Sequence, residues 1–200
     1  AERGLTLIRP FDEPLVIAGQ GTCGLEIAKQ AAEIGVAKAD VLVCCGGGGL
    51  SSGVALALEA DAPGLRARPV EPVGFDDVAR SLVSGKIERN RAAAGSVCDA
   101  IVTPSPGDLT FPIMQRLCGP GLSVPDEDAL RAMAMAFLRL KIVLEPGGAV
   151  ALAAALFHGD TFDGDTGDGD AIDGDAVIVV ASGGNVDPGL FIDALTLYGV

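Results

Sequence analysis

Four consecutive glycines, Gly46 to Gly49, follow the apolar run Val41-Leu42-Val43-Cys44-Cys45 and precede Leu50-Ser51-Ser52. Glycine gives up more backbone entropy on folding than any other residue, so a run of four marks a place where something must approach the main chain closely. A strand, a glycine loop and a helix start in that order make an anion site, because main-chain N–H groups point inward and the helix dipole adds positive potential. Three ligands compete for it. A nucleoside triphosphate would need a lysine after the loop to reach the outer phosphates, and Leu50-Ser51-Ser52 supplies none. A dinucleotide is better placed, since Glu71 at the end of the next strand could meet a ribose, but G-x-G-x-x-G fails in every register across residues 46–53. A tight turn without a ligand would not need four glycines in series. A small phosphorylated cofactor remains.

The other chemistry-bearing residues are less organised. The five cysteines, Cys23, Cys44, Cys45, Cys98 and Cys118, are odd in number and form no CxxC pair, so neither a disulfide framework nor a zinc site is indicated, and a reducing cytoplasm fits. The single histidine, His158, reads as a helix-end surface residue with no nucleophile beside it. Seven aspartates lie among glycines between Gly159 and Asp175. No register there supplies the alternating oxygen ligands, the sixth-position glycine and the closing Glu of an EF-hand loop, so a solvated connection is the better reading than a calcium site.

The elements that must position the glycine loop follow from pattern. Two hundred residues, 49% of them apolar, suit one sizeable domain. With 4% aromatics and no Trp, its core is built from Val, Ile, Leu and Ala, as in layered α/β proteins. The formal charge of −13 argues against nucleic acid and anionic membranes as partners, and no apolar run approaches the roughly 18 residues of a membrane helix. Strands are expected at Leu5 to Ile8, Val41 to Cys45, Ala67 to Glu71 and Ala176 to Ala181. Helices are expected over Leu15 to Ile34, where Gly19, Gly21 and Gly24 could let a face press on a neighbour, and over Ser52 to Ala60, Asp77 to Val83, Ala129 to Leu140 and Gly147 to Phe157. Ser123 with Asp126 resembles a cap for the fourth helix. Asn90 to Gly121 reads as a long irregular segment, too long for an idle connection. The alternation predicts an α/β fold with a mainly parallel sheet, the glycine loop and Ser182 ending neighbouring strands and facing one crevice.

Six segments together resemble a known family. RPFDEP running into IAGQGTCGLEI (Arg9 to Ile27), GGGGL (Gly46 to Leu50), VEPVGFDD (Val70 to Asp77), LTFPI (Leu109 to Ile113), LKIVLEPGGAVALAA (Leu140 to Ala154) and SGGNVD (Ser182 to Asp187) occur in the order found in fold-type II pyridoxal-phosphate enzymes, specifically the threonine/serine dehydratase and serine racemase group. The resemblance implies a tryptophan synthase β-like fold, a parallel twisted sheet flanked by helices, with residues 1–200 as the C-terminal portion of the larger, catalytic domain. It implies that Gly46, Gly47, Gly48, Gly49 and Leu50 hold the phosphate of pyridoxal 5'-phosphate and that Ser182 faces the pyridine nitrogen. A neutral hydroxyl donates to an unprotonated ring nitrogen, which makes the ring a weaker electron sink and favours prompt loss of a β-hydroxyl. Glu145 matches an acidic residue beside the ring. Glu71, the Phe75 carbonyl and Asp77 match a site for Mg²⁺ or Ca²⁺; the simpler alternative gives Asp76 and Asp77 the role of capping the next helix.

The activity implied is an L-threonine/L-serine dehydratase, an ammonia-lyase releasing a 2-oxo acid and ammonia from a small hydroxy amino acid, homodimeric at full length and cytoplasmic. A serine or hydroxyaspartate racemase or dehydratase uses the same cradle, and a non-catalytic ligand-binding module on this fold is the alternative from another class. Gly148 stands where members often have a serine, and SVCDAIVTPSPG (Ser96 to Gly107) replaces a TIADG-like segment. The family's Schiff-base lysine lies in a serine-x-lysine motif, upstream in the family, that these residues lack; Lys29, Lys38, Lys86 and Lys141 have no such context, so the 200-residue chain alone is expected to be inactive.

Overall fold

The computed structural model describes residues 4, 6–159 and 176–199. The aspartate- and glycine-rich segment read as a solvated connection lies, apart from Gly159, outside the described residues. Among the described residues the sheet has four strands, β1 (Ala39–Cys44), β2 (Leu65–Pro72), β3 (Leu122–Val124) and β4 (Ala176–Val179), in the order β3-β2-β1-β4. All neighbours are parallel, with Cys44 opposite Val70 and Leu42 opposite Val179.

Every residue of β1 is buried, as a strand covered on both faces requires. Its alternation sorts the core into two layers. Val41 and Val43 pack with residues of α1 (Pro14–Glu33) and α2 (Gly49–Asp61), among them Ala28, Ala31, Val54 and Leu58. Leu42 and Cys44 pack on the other side with Ala132 and Met133 of α5 (Asp126–Met135), with Ala149 to Ala151 of α6 (Pro146–Phe157) and with Ala194 of α7 (Pro188–Tyr198). The expected close approach of the first helix is seen where a Cβ on Gly24 would stand 2.7 Å from the Ala57 Cβ. At the opposite end of the sheet from the glycine loop, buried Asp40 holds Arg68 at 3.0 Å and Arg66 at 3.1 Å.

Some expectations are corrected. Residues 6–8 form no strand, and Leu7 and Ile8 are 84% and 72% exposed: apolar character makes a strand only where a partner offers its hydrogen bonds. The segment read as irregular contains α4 (Thr110–Leu117). Ser123 does not cap α5. It belongs to β3, opposite Glu71, while the Asp126 carboxylate accepts from the Ser96 hydroxyl at 2.6 Å and the Val97 amide at 2.9 Å. Beyond α5 the chain continues as a π-helical turn, Ala136–Leu140, that ends on Lys141 at φ 63°. The third expected helix is α3 (Asp77–Ser84), closed by Gly85 at φ 72°.

Candidate functional site

The site forms at the C-terminal ends of β1 and β4. After Cys44 the chain enters the glycine loop, and α2 starts from Gly48 at φ 90°, a left-handed conformation that side chains with a Cβ rarely adopt. No side chain caps α2, so the first-turn amides are available to a ligand. Space also demands glycine here: a Cβ on Gly47 would run into the Phe11 ring, and one on Gly48 into the Met114 side chain. On the neighbouring side, the Val180 amide donates to the Leu42 carbonyl at 2.9 Å, which carries the chain alongside β1 until Ser182 stands level with the loop.

Gly46 to Leu50 and Ser182 line one cavity of about 250 Å³. Its remaining wall comes from Phe11, Gln20, Ile101 and Thr103, with the Cys44 and Cys45 positions at its base. Thr103 contributes a buried hydroxyl without a hydrogen-bond partner. Burial pushes the Cys44 and Cys45 thiols up, so both are packing residues rather than nucleophiles. A bare backbone cradle that shares its cavity with Ser182 is suited to a small phosphorylated ring.

Glu145 packs against Gly183, next to Ser182. It precedes α6, its carboxylate accepts from the Asn185 amide at 3.1 Å, and its own amide donates to the Gly183 carbonyl at 3.0 Å. It lines an adjacent cavity with Asp99 and Asp187 and not the one holding the glycine loop.

Glu71, Phe75 and Asp77, the residues of the expected metal site, lie along the turn from β2 to α3. Glu71 is fully buried, and its two oxygens accept from the amides of Val78 at 3.0 Å and Ala79 at 2.8 Å, so Glu71 caps α3. Neither Asp76 nor Asp77 makes that cap. Asp77 is 1% exposed; one oxygen accepts from Asn90, and the other is buried with no partner. Burial, followed by the Asp77 charge, holds the Glu71 carboxyl well above the usual carboxylate range. Burial pushes Asp77 up to about 6. Phe75 sits between them in a turn, its amide donating to the Pro72 carbonyl at 3.0 Å. Among the described residues no three His, Cys, Asp or Glu side chains cluster as metal ligands, so a cation here would rest on two carboxylates, a carbonyl and water. The orphaned Asp77 oxygen and the second lone pairs of the Glu71 oxygens fit a hard cation.

The family described as pyridoxal-phosphate dependent enzyme matches residues 1–183. The chain belongs to this family. A serine racemase of Arabidopsis thaliana is 37% identical over 193 residues, which are 96% of this chain and 55% of the relative. An L-threonine ammonia-lyase of Geobacter sulfurreducens is 37% identical over 186 residues, 93% of this chain and 42% of that protein. Among solved structures, a T.th. threonine deaminase superimposes with a TM-score of 0.81 at 42% identity, over 93% of this chain and 62% of that one. Maize serine racemase gives 0.81 at 36% identity, over 98% and 57%. The chain spans about half the length of the curated relatives it matches. The parallel sheet flanked by helices is the fold expected from the resemblance.

For a pyridoxal-phosphate family member, the placement of lysines matters most. None of the four lysines lines the glycine-loop cavity. Lys29 pairs with Glu33, Lys86 with Glu88, and the Lys141 ammonium donates to the Leu138 carbonyl, while Lys38 lines a cavity at the far end of the sheet. Sequence reasoning did not assign Phe11, Gln20, Ile101 or Thr103. Phe11 carried a signal, since it stands within the RPFDEP segment that already matched the family; Thr103 lies in the segment that departs from it.

Proposed function

We propose that the chain carries the cofactor-binding part of a pyridoxal-phosphate-dependent L-threonine/L-serine dehydratase. The observation that carries this reading is the single cavity shared by the glycine loop and Ser182. In it, the amides of Gly46, Gly47, Gly48, Gly49 and Leu50 bind the phosphate, and the Ser182 hydroxyl donates to the pyridine nitrogen. When bound, pyridoxal phosphate supplies the electron sink for cleavage of a bond at Cα, moderated here by a ring nitrogen left unprotonated. Glu145 acts through the loop after Ser182, because its grip on the Asn185 amide fixes the direction in which that loop leaves the cavity. Glu71, the Phe75 carbonyl and Asp77 hold Mg²⁺ or Ca²⁺ beside the site.

The substrate class is a small hydroxy amino acid, and the protein works as a cytoplasmic homodimer. Serine racemase is the second reading, favoured by the serine racemases among the relatives. The test assays the complete gene product with L-threonine and L-serine, following 2-oxo acid and D-serine together. Oxo acid from threonine is the expected result; D-serine exceeding oxo acid selects the racemase, and neither product overturns the proposal.

A further inference from the structure

Thr110 opens α4 and is fully buried, yet it does not line the cavity. Its hydroxyl donates to the Gly47 carbonyl at 2.6 Å and accepts from the Gly107 amide at 2.9 Å. The Gly107 amide also reaches the Gly47 carbonyl at 3.2 Å, and the Ser52 hydroxyl donates to the Thr110 carbonyl at 3.2 Å. The Thr110 hydroxyl thus ties α4 to the glycine loop, while its main-chain carbonyl receives the Ser52 hydroxyl from the first turn of α2. We propose that Thr110 is a positioning residue that aims the Gly48 amide into the phosphate cradle. This rests on the cofactor reading above.

The argument is one of peptide geometry. The carbonyl of Gly47 and the N–H of Gly48 share a trans peptide plane and point in opposite directions. Holding the carbonyl toward α4 turns the N–H toward the cavity that Gly48 lines. Between two glycines no Cβ resists rotation of that plane, so the loop's own residues do not choose its direction. A flipped plane would present a carbonyl oxygen to a phosphate and would set the Gly48 N–H against the Gly107 N–H, donor facing donor. The Thr110 hydroxyl and the Gly107 amide together select the orientation in which the cradle donates.

The test compares Thr110→Val, which keeps shape and loses the hydroxyl, with Thr110→Ser, which does the reverse. Titration calorimetry with inorganic phosphate and with pyridoxal phosphate is read beside the thermal midpoint of each variant, and Ser96→Ala, which removes a half-buried hydroxyl bonded to Asp126, serves as a control away from the loop. Expected is affinity weakened about tenfold for both probes in Thr110→Val, with Thr110→Ser within about threefold of the parent and Ser96→Ala unchanged. A packing role predicts the opposite order and overturns the proposal, as does valine binding equal to the parent. In the parent itself, the Gly48 amide resonance is expected to move on adding phosphate, a readout that holds even if the valine variant does not fold; a stationary Gly48 resonance in a parent that binds phosphate overturns the proposal. Failure of the parent to bind either probe overturns the cradle reading, and the role of Thr110 with it.

Discussion

β1 and β2 lie side by side, run the same way and each feed a turn and a helix, yet the two helix starts are finished in opposite manners. At α2 the chain offers Gly48 and Gly49 and no capping side chain, which leaves donors for a ligand. At α3 it brings its own anion: Glu71 reaches over from β2 and occupies the amides of Val78 and Ala79. Under the proposed function, the first start is completed by the negative charge of a phosphate. The second is already full, and on the proposed metal reading the buried Asp77 beside it adds the charge that a cation would balance. Under the proposed function, the same backbone geometry would serve ligands of opposite sign, depending on whether the strand's last residues are glycines or an acid.

The comparison breaks first at Gly48, where binding itself is expected to fail. Gly48→Val would force a β-branched residue to φ 90° and into Met114, so phosphate affinity is expected to fall at least about a hundredfold by calorimetry. Glu71→Ala opens the other helix start: two amides lose their acceptor inside the fold, and urea denaturation is expected to show a loss of about 4 kcal/mol. A smaller effect follows from pH. Asp77 titrates near 6 in the fold against an ordinary 3.8, so the fold binds its proton more tightly than the unfolded chain does. In a chelator, the Asp77 contribution should be greatest below the ordinary value and be lost as pH climbs toward about 6, up to about 3 kcal/mol; Asp77→Asn removes this component and leaves the one from Glu71. A flat profile in the parent would contradict the assignment. The smallest expected effect is the gain from Mg²⁺ at ten times its dissociation constant, about 1.4 kcal/mol, seen as a raised thermal midpoint that NaCl does not reproduce and Asp77→Ala abolishes. Equal shifts in parent and variant would reduce the effect to screening.

Much of this contrast was legible in the residues. The apolar run of β1, the short strand pattern of β2, the glycines between β1 and α2, and the Gly85 stop of α3 are local signals, set by chemistry within a few positions. What stayed hidden depended on distant partners. Glu71 looked like a ribose partner from its strand-end place and like a metal ligand from the resemblance, and its helix-capping role appears only when α3 folds back over it. Ser123 has a capping residue's chemistry and a strand's neighbour, and the neighbour decided. α4 was masked by Pro112, which sits in its first turn, where a missing N–H costs nothing. The shared cavity of the glycine loop and Ser182 was anticipated from the strand ends, but the position of the Glu145 carboxylate was not, since a motif names a residue and not its rotamer.

Gly148 has a consequence for how this protein can be recombined. Any Cβ there would overlap the Ser182 carbonyl, while its own carbonyl accepts from the Ser182 amide at 3.3 Å and from the Cys44 thiol at 3.4 Å. The start of α6 and the segment around Ser182 are therefore a matched lock. A chimaera that imports α6 from a relative with serine at this position, while keeping this chain's 182–184 segment, should fold poorly or lose its cavity, and importing both segments from the same donor should restore it. Inheritance across this contact is pairwise, and the two segments form one heritable unit despite lying more than thirty residues apart.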